Sequence, residues 1–143
     1  MGIPLISRIT LYIIIALFGL ICIPLLRWQI VVLRGKSMKN PDGTVDDWHD
    51  QKLCYGIALA DITIAVPVTF IGITLIFVGQ QVGYYLAGLA SFWFLWANVM
   101  TTATSLRFEK PKITFNWFIS FPFGAIIGLA YIIWLLIYFQ EIF

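Results

Sequence analysis

Polar residues in this chain are confined to short stretches, and long apolar runs lie between them. Four runs stand out: Ile9–Leu26, extending to Leu33 if its helix carries through RWQIVVL, then Leu53–Val78, Tyr84–Leu106 and Trp117–Phe139. A helix that crosses a bilayer needs about 20 mostly apolar residues, so each run is long enough. Backbone in lipid must satisfy its own hydrogen bonds, which leaves helices as the solution for runs of this length. The pattern therefore predicts an all-α fold: an integral membrane four-helix bundle with spans at about 9–33, 53–78, 84–106 and 117–139. Little remains for a soluble domain, so residues 1–143 are expected to form a single membrane domain. No internal repeat is visible, which removes support for a large inverted-repeat transporter.

The polar stretches carry their own signals. In the longest, RGKSMKNPDGTVDDWHDQK, Pro41, Asp42 and Gly43 predict a turn. Thr44 followed by Asp47 has the spacing of a capping box with Asp in place of Glu or Gln. A helix is thus expected to start near Val45 and run straight into the second span. GQQVG at 79–83 reads as a tight turn, and RFEKPKITFN carries Pro111 as its break. Phe108, Phe115 and Trp117 suit an interfacial position there.

Charge turns this pattern into an orientation. Arg27, Arg34, Lys36, Lys39, Lys52, Arg107, Lys110 and Lys112 flank the segments after spans one and three, against Arg8 alone on the other side. Lys and Arg gather on cytoplasmic loops, so both termini are expected outside, with two cytoplasmic loops at 34–52 and 107–116. That basic face suits anionic lipid headgroups. Composition agrees: 61% of the residues are hydrophobic, 11% are charged and the mean hydropathy is +0.93. Soluble domains carry roughly 25% charged residues. A leader peptide is not expected, because no small-x-small cleavage site follows the first run. In MGIPLIS, Ile6 occupies the place where a myristoylation signal needs Ser or Thr.

Several chemistries are excluded by what the chain lacks. Cys22 and Cys54 form no C-x-x-C, against a thiol oxidoreductase. The single histidine, His49, cannot supply two axial imidazoles to a haem. No nucleic-acid-binding motif is present.

Three groups of residues are candidates for function. The first is Asp61, an acid within the second run, since ionisable groups inside spans are expensive and face the bundle interior. Helical counting puts Asp50, Cys54, Ala58 and Ala65 on its face. Asn98 on span three and Gly124 on span four lie at a similar depth, Thr102 follows Asn98 on the same stripe, and Arg27 reaches that depth if the first helix continues to Leu33. Asp61 thus reads either as a packing clamp, bonded to Asn98 or Arg27, or as a proton or cation carrier. The small and polar stripe Tyr84, Gly88, Ser91, Leu95, Asn98, Thr102 and Ser105 on span three, with Gly124 and Gly128 on span four, is of the kind that lets helices approach closely. The second group is Asp46, His49 and Asp50, which would share one face of a helix starting near Val45 and could offer ligands to a metal. The third is Phe92, Trp93 and Trp96, aromatic bulk near mid-span where Trp is uncommon. That face would take a partner subunit or a lipophilic ligand such as a bound lipid or quinone, and no other cofactor is expected.

These features favour a small membrane protein that is a non-catalytic accessory, assembly or structural subunit of a larger membrane complex, or a homo-oligomer. The alternative is a small proton- or cation-coupled transporter using Asp61. A membrane enzyme with a metal at the Asp/His cluster is a third reading. The expected partners are the bilayer and other membrane subunits or copies of the chain.

Overall fold

A computed structural model of the chain describes residues 2–39, 43–109 and 111–143. Lys110 and most of the expected Pro41–Asp42–Gly43 turn lie outside these; Gly43 itself takes a left-handed φ of 87°. The described chain is helical, with one isolated bridge between Lys39 and Val45 and no strand among the described residues. Three helices are long and apolar enough to cross a membrane: α1 (Leu5–Leu33), α2 (Trp48–Phe77) and α3 (Gln81–Glu109). Next come α4 (Phe115–Ser120), the shorter apolar α5 (Pro122–Ile137) and the C-terminal turn α6 (Phe139–Ile142).

Two expectations need correction. The fourth apolar run is not one helix, because Phe121, at φ −117° and ψ −80°, separates α4 from α5. A residue before proline is sterically driven out of the helical region, while Pro122 opens α5 without loss because the first turn needs no N–H donor there. The second helix starts at Trp48 rather than near Val45. The Lys39–Val45 bridge and the Asp46 N–H to Met38 carbonyl bond (3.0 Å) hold the preceding segment extended. The cap is then Asp47, not Thr44: its carboxylate accepts from the N–H groups of His49 (2.7 Å) and Asp50 (3.0 Å).

The chain divides into two compact units, Met1–Gly19 with Val68–Phe143, and Leu20–Pro67. In the first, α3 packs along α5. The small and polar stripe of α3 is the contact face: Tyr84, Ser91 and Ser105 are buried, and Tyr131 donates its hydroxyl to the Tyr84 carbonyl at 2.9 Å. Glycines permit this approach. A Cβ on Gly128 would stand 2.5 Å from the Ser91 carbonyl oxygen and 2.9 Å from the Leu95 nitrogen, and one on Gly124 would collide with the Asn98 amide. The start of α1 completes the core, with Phe18 stacked on Phe94 at 4.7 Å and set against Tyr131 at 5.8 Å. Trp134 Nε1 donates to the Ser7 carbonyl at 2.8 Å.

The second unit holds the rest of α1, a 3₁₀ turn (Lys36–Met38) and the first part of α2. Its buried side chains include Cys22, Gln29, Val32, Ala58, Asp61 and Val66.

Backbone, rather than a flexible side chain, blocks a Cβ at Gly128. Gly128→Ala is therefore expected to destabilise the detergent-solubilised protein by about 1–3 kcal/mol, the usual cost of overpacking. Gly56 in α2 faces open space, so Gly56→Ala should be neutral or mildly stabilising. Thermal or denaturant unfolding of the two variants side by side checks the difference.

Candidate functional site

Asp61 lies within α2 where the helix changes its winding. Residues Asp61–Ala65 form a π turn, closed by the Val66 N–H donating to the Asp61 carbonyl. Pro67 follows directly. It has no N–H to give the carbonyl four residues back, and its ring crowds that carbonyl, so the regular ladder cannot continue there. A wider i→i+5 turn absorbs the defect, and such bulges recur at functional positions. The bulge also sets which side chains point inward: Ala58, Asp61 and Val66 are all buried.

Asp61 is 7% exposed and Gln29, on α1, is 8% exposed. Gln29 Nε2 donates to Asp61 Oδ2 at 2.6 Å, joining the two helices inside one unit. α1 does continue to Leu33, but the side chain it brings to the acid is the amide of Gln29. Arg27, two residues earlier and 200° round the helix, is exposed. It lines a surface hollow with Pro24, Trp28, Val31 and Ser37. Counting depth along the helices favours Asn98 and Arg27 as partners of Asp61 and passes over Gln29, for which a lone amide in RWQIVVL is the available signal. Of the other residues expected on Asp61's face, Ala58 is buried, whereas Asp50 and Cys54 are exposed. Asn98 and Thr102 belong to the other unit. There Asn98 Nδ2 bonds the Phe94 carbonyl of its own helix at 2.8 Å, and Thr102 Oγ1 donates to the Asn98 carbonyl at 2.5 Å.

The Asp46, His49 and Asp50 group does not assemble as a shared helical face, because Asp46 precedes the helix. Among the described residues, no group of three or more His, Cys, Asp or Glu could hold a metal ion. What stands there is a helix start. The N–H groups of Asp50 and, next, His49 hold the exposed Asp47 carboxyl below its ordinary value. Gln51 Nε2 also reaches back to the Asp46 carbonyl at 2.5 Å.

On α3, Phe92 and Trp96 are 63% and 57% exposed, and Trp93 is half-buried against Phe94 at 4.8 Å. Phe92, Leu95, Trp96, Val99 and Met100 line a shallow apolar hollow of about 410 Å³. The tryptophans of the packed face behave differently. Trp134 Nε1 bonds the Ser7 carbonyl and Trp117 Nε1 bonds Ser105 Oγ at 3.1 Å. Among the described residues, the indole N–H of Trp96 has no acceptor.

Comparison with protein-family models, curated proteins and solved structures finds no match for this chain. Functional roles therefore rest on these residues alone.

Interhelical hydrogen bonds in membrane proteins are worth about 0.6–2 kcal/mol. Gln29→Leu should lower stability by about that amount. In a double-mutant cycle with Asp61→Leu, which removes the acceptor, the coupling energy should fall in the same range of about 0.6–2 kcal/mol. A coupling near zero would mean that the bond does not hold α1 to α2.

Proposed function

We propose that the chain is a four-span integral membrane protein serving as a non-catalytic accessory or assembly subunit of a larger membrane complex, or of a homo-oligomer. Helices α1, α2 and α3 each supply a span, and α4 with α5 supplies the fourth. Both termini lie outside, with loops 34–52 and 107–116 in the cytoplasm. The lengths of the apolar helices and the eight-to-one division of Lys and Arg support this arrangement.

The observation that carries the subunit role is Trp96. Its ring is exposed near the middle of a 29-residue apolar helix, where tryptophan's usual interfacial position is out of reach. Indole N–H groups set in apolar surroundings need an acceptor. Trp117 and Trp134 find theirs inside the chain. For Trp96 the acceptor is a carbonyl or hydroxyl of a neighbouring membrane helix, and Phe92 four residues back widens the same contact.

Purification in mild detergent followed by native mass spectrometry tests the role. The wild type is expected to run as a larger assembly. The Phe92→Leu, Trp96→Leu double variant keeps the face apolar, so it should stay folded yet fall to single-chain mass. Buried interface aromatics commonly contribute about 2 kcal/mol or more. A wild type that is already a single chain would overturn the subunit reading.

A second reading is favoured by the buried Asp61–Gln29 bond at a π turn, a place where a helix can rearrange without losing its ends. In that reading the chain is a small proton- or cation-coupled transporter with Asp61 as the carrier. Reconstituted in liposomes, the wild type would then show a flux driven by a pH or cation gradient. Asp61→Asn would assemble normally and lose it. Absence of flux in the wild type removes this reading.

A further inference from the structure

We propose that the hollow beside Arg27, toward the C-terminal end of α1, holds the phosphate headgroup of an anionic phospholipid. This rests on the reading of α1 as a membrane span. Arg27 is exposed, yet six residues, about 9 Å of helix, separate it from Leu33, the last residue of α1. That remaining length includes Ile30, Val31 and Val32, so the guanidinium emerges from the helix on the membrane side of an apolar turn. Arginine stays charged at every accessible pH. A charged group at that level must extend toward the surface or draw an anion to itself.

The surroundings are suited to the second outcome. Among the described residues, Pro24, Arg27, Trp28, Val31 and Ser37 line about 390 Å³ of open hollow, and none of these carries a carboxylate. Ser37 reaches it because the chain reverses just past α1. Gly35 takes a left-handed φ of 70° and starts the 3₁₀ turn Lys36–Met38. Arg34 and Lys36, both exposed, add positive charge at the same end of the helix. A phosphodiester fits this set of groups. Its oxygens accept from the planar guanidinium, two at a time, and from the serine hydroxyl. Pro24 and Val31 meet the first methylenes of an acyl chain, and Trp28 sits at the level where tryptophans anchor. The excess of positive charge favours lipids with net negative charge over zwitterionic ones.

The test uses the full chain as wild type, Arg27→Gln, Arg27→Lys and Arg8→Gln, the last removing an exposed arginine at the other end of α1. Each is mixed in detergent with phosphatidylglycerol or phosphatidylcholine of matched chains, with and without millimolar inorganic phosphate. Native mass spectrometry then reads the lipid retained. The wild type should keep one phosphatidylglycerol in preference to phosphatidylcholine. Arg27→Gln should weaken that retention about fivefold, the usual effect of one basic residue near an anionic surface. Arg27→Lys, which keeps the charge but not the paired donors, should keep part of it, Arg8→Gln should keep it in full, and inorganic phosphate should not compete. Equal retention of the two lipids, an unaffected Arg27→Gln, displacement by inorganic phosphate, or a dimer lost on Arg27→Gln would each overturn the proposal. Flotation with pure phosphatidylcholine vesicles separates the two levels of failure. A protein that floats but shows no lipid preference defeats the headgroup site alone. A protein that does not float defeats the membrane reading as well.

Discussion

A polar group carried into an apolar interior has to be answered there, since an unpaired donor or acceptor out of water costs several kcal/mol. That constraint orders the buried chemistry of this chain. Among the described residues, every buried side-chain nitrogen or oxygen has a hydrogen-bond partner. The amide of Gln29 answers Asp61, and the Tyr131 hydroxyl answers the Tyr84 carbonyl. Trp117 Nε1 meets Ser105 Oγ, which in turn bonds Glu109 Oε2 at 2.6 Å. Each bond adds little to stability on its own. Their joint effect is on register: sliding one helix against another by a turn would leave several of these groups unanswered at once.

Threonines obey the same constraint by a local route. Thr10, Thr63, Thr74 and Thr101 are exposed, and each hydroxyl folds back onto the carbonyl four residues earlier. A helix can thus present threonine outward without an open donor. Tryptophan has no such route, because its indole N–H sits at the far side of a rigid ring. This separates Trp96 from the threonines on the exposed surface and from the two tryptophans that bond within the chain. Glycine handles the complementary problem. Where α3 and α5 meet at Ser91 and Gly128, the backbones are too close for any Cβ. Close contact then supplies the dispersion attraction that lipid would otherwise match.

Much of the fold was legible because apolar runs and small-residue spacing are direct records of helix length and helix contact. The first and third runs correspond to α1 and α3, and the stripe from Tyr84 to Ser105 faces α5. What escaped has physical reasons. The break at Phe121 is a backbone event inside an unbroken apolar run, and hydropathy does not register dihedral angles. The cap at Asp47 depends on the Lys39–Val45 bridge, a contact across a loop, which overrode the local capping-box spacing at Thr44. Gln29 escaped because depth counting favours Asn98 and Arg27, and nothing in the spacing of RWQIVVL says which of its polar side chains turns inward; an amide costs less to bury than a guanidinium.

The π turn and the buried acid are two parts of one arrangement. In an unbroken α-helix, residues five apart differ by 140° around the axis, so Asp61 and Val66 could not both face inward. Both are buried, and the i→i+5 turn between them supplies the extra residue that makes this possible. Pro67 fixes where that residue goes, since its missing N–H and bulky ring disrupt the regular ladder at this point. The inward aim of Asp61 toward Gln29 therefore depends on Pro67, six positions further along the chain. Sequence spacing alone, read at 100° per residue, puts Ala65 on the face of Asp61. The structure gives the more deeply buried place to Val66, and that one-residue difference is the local signature of the widened turn.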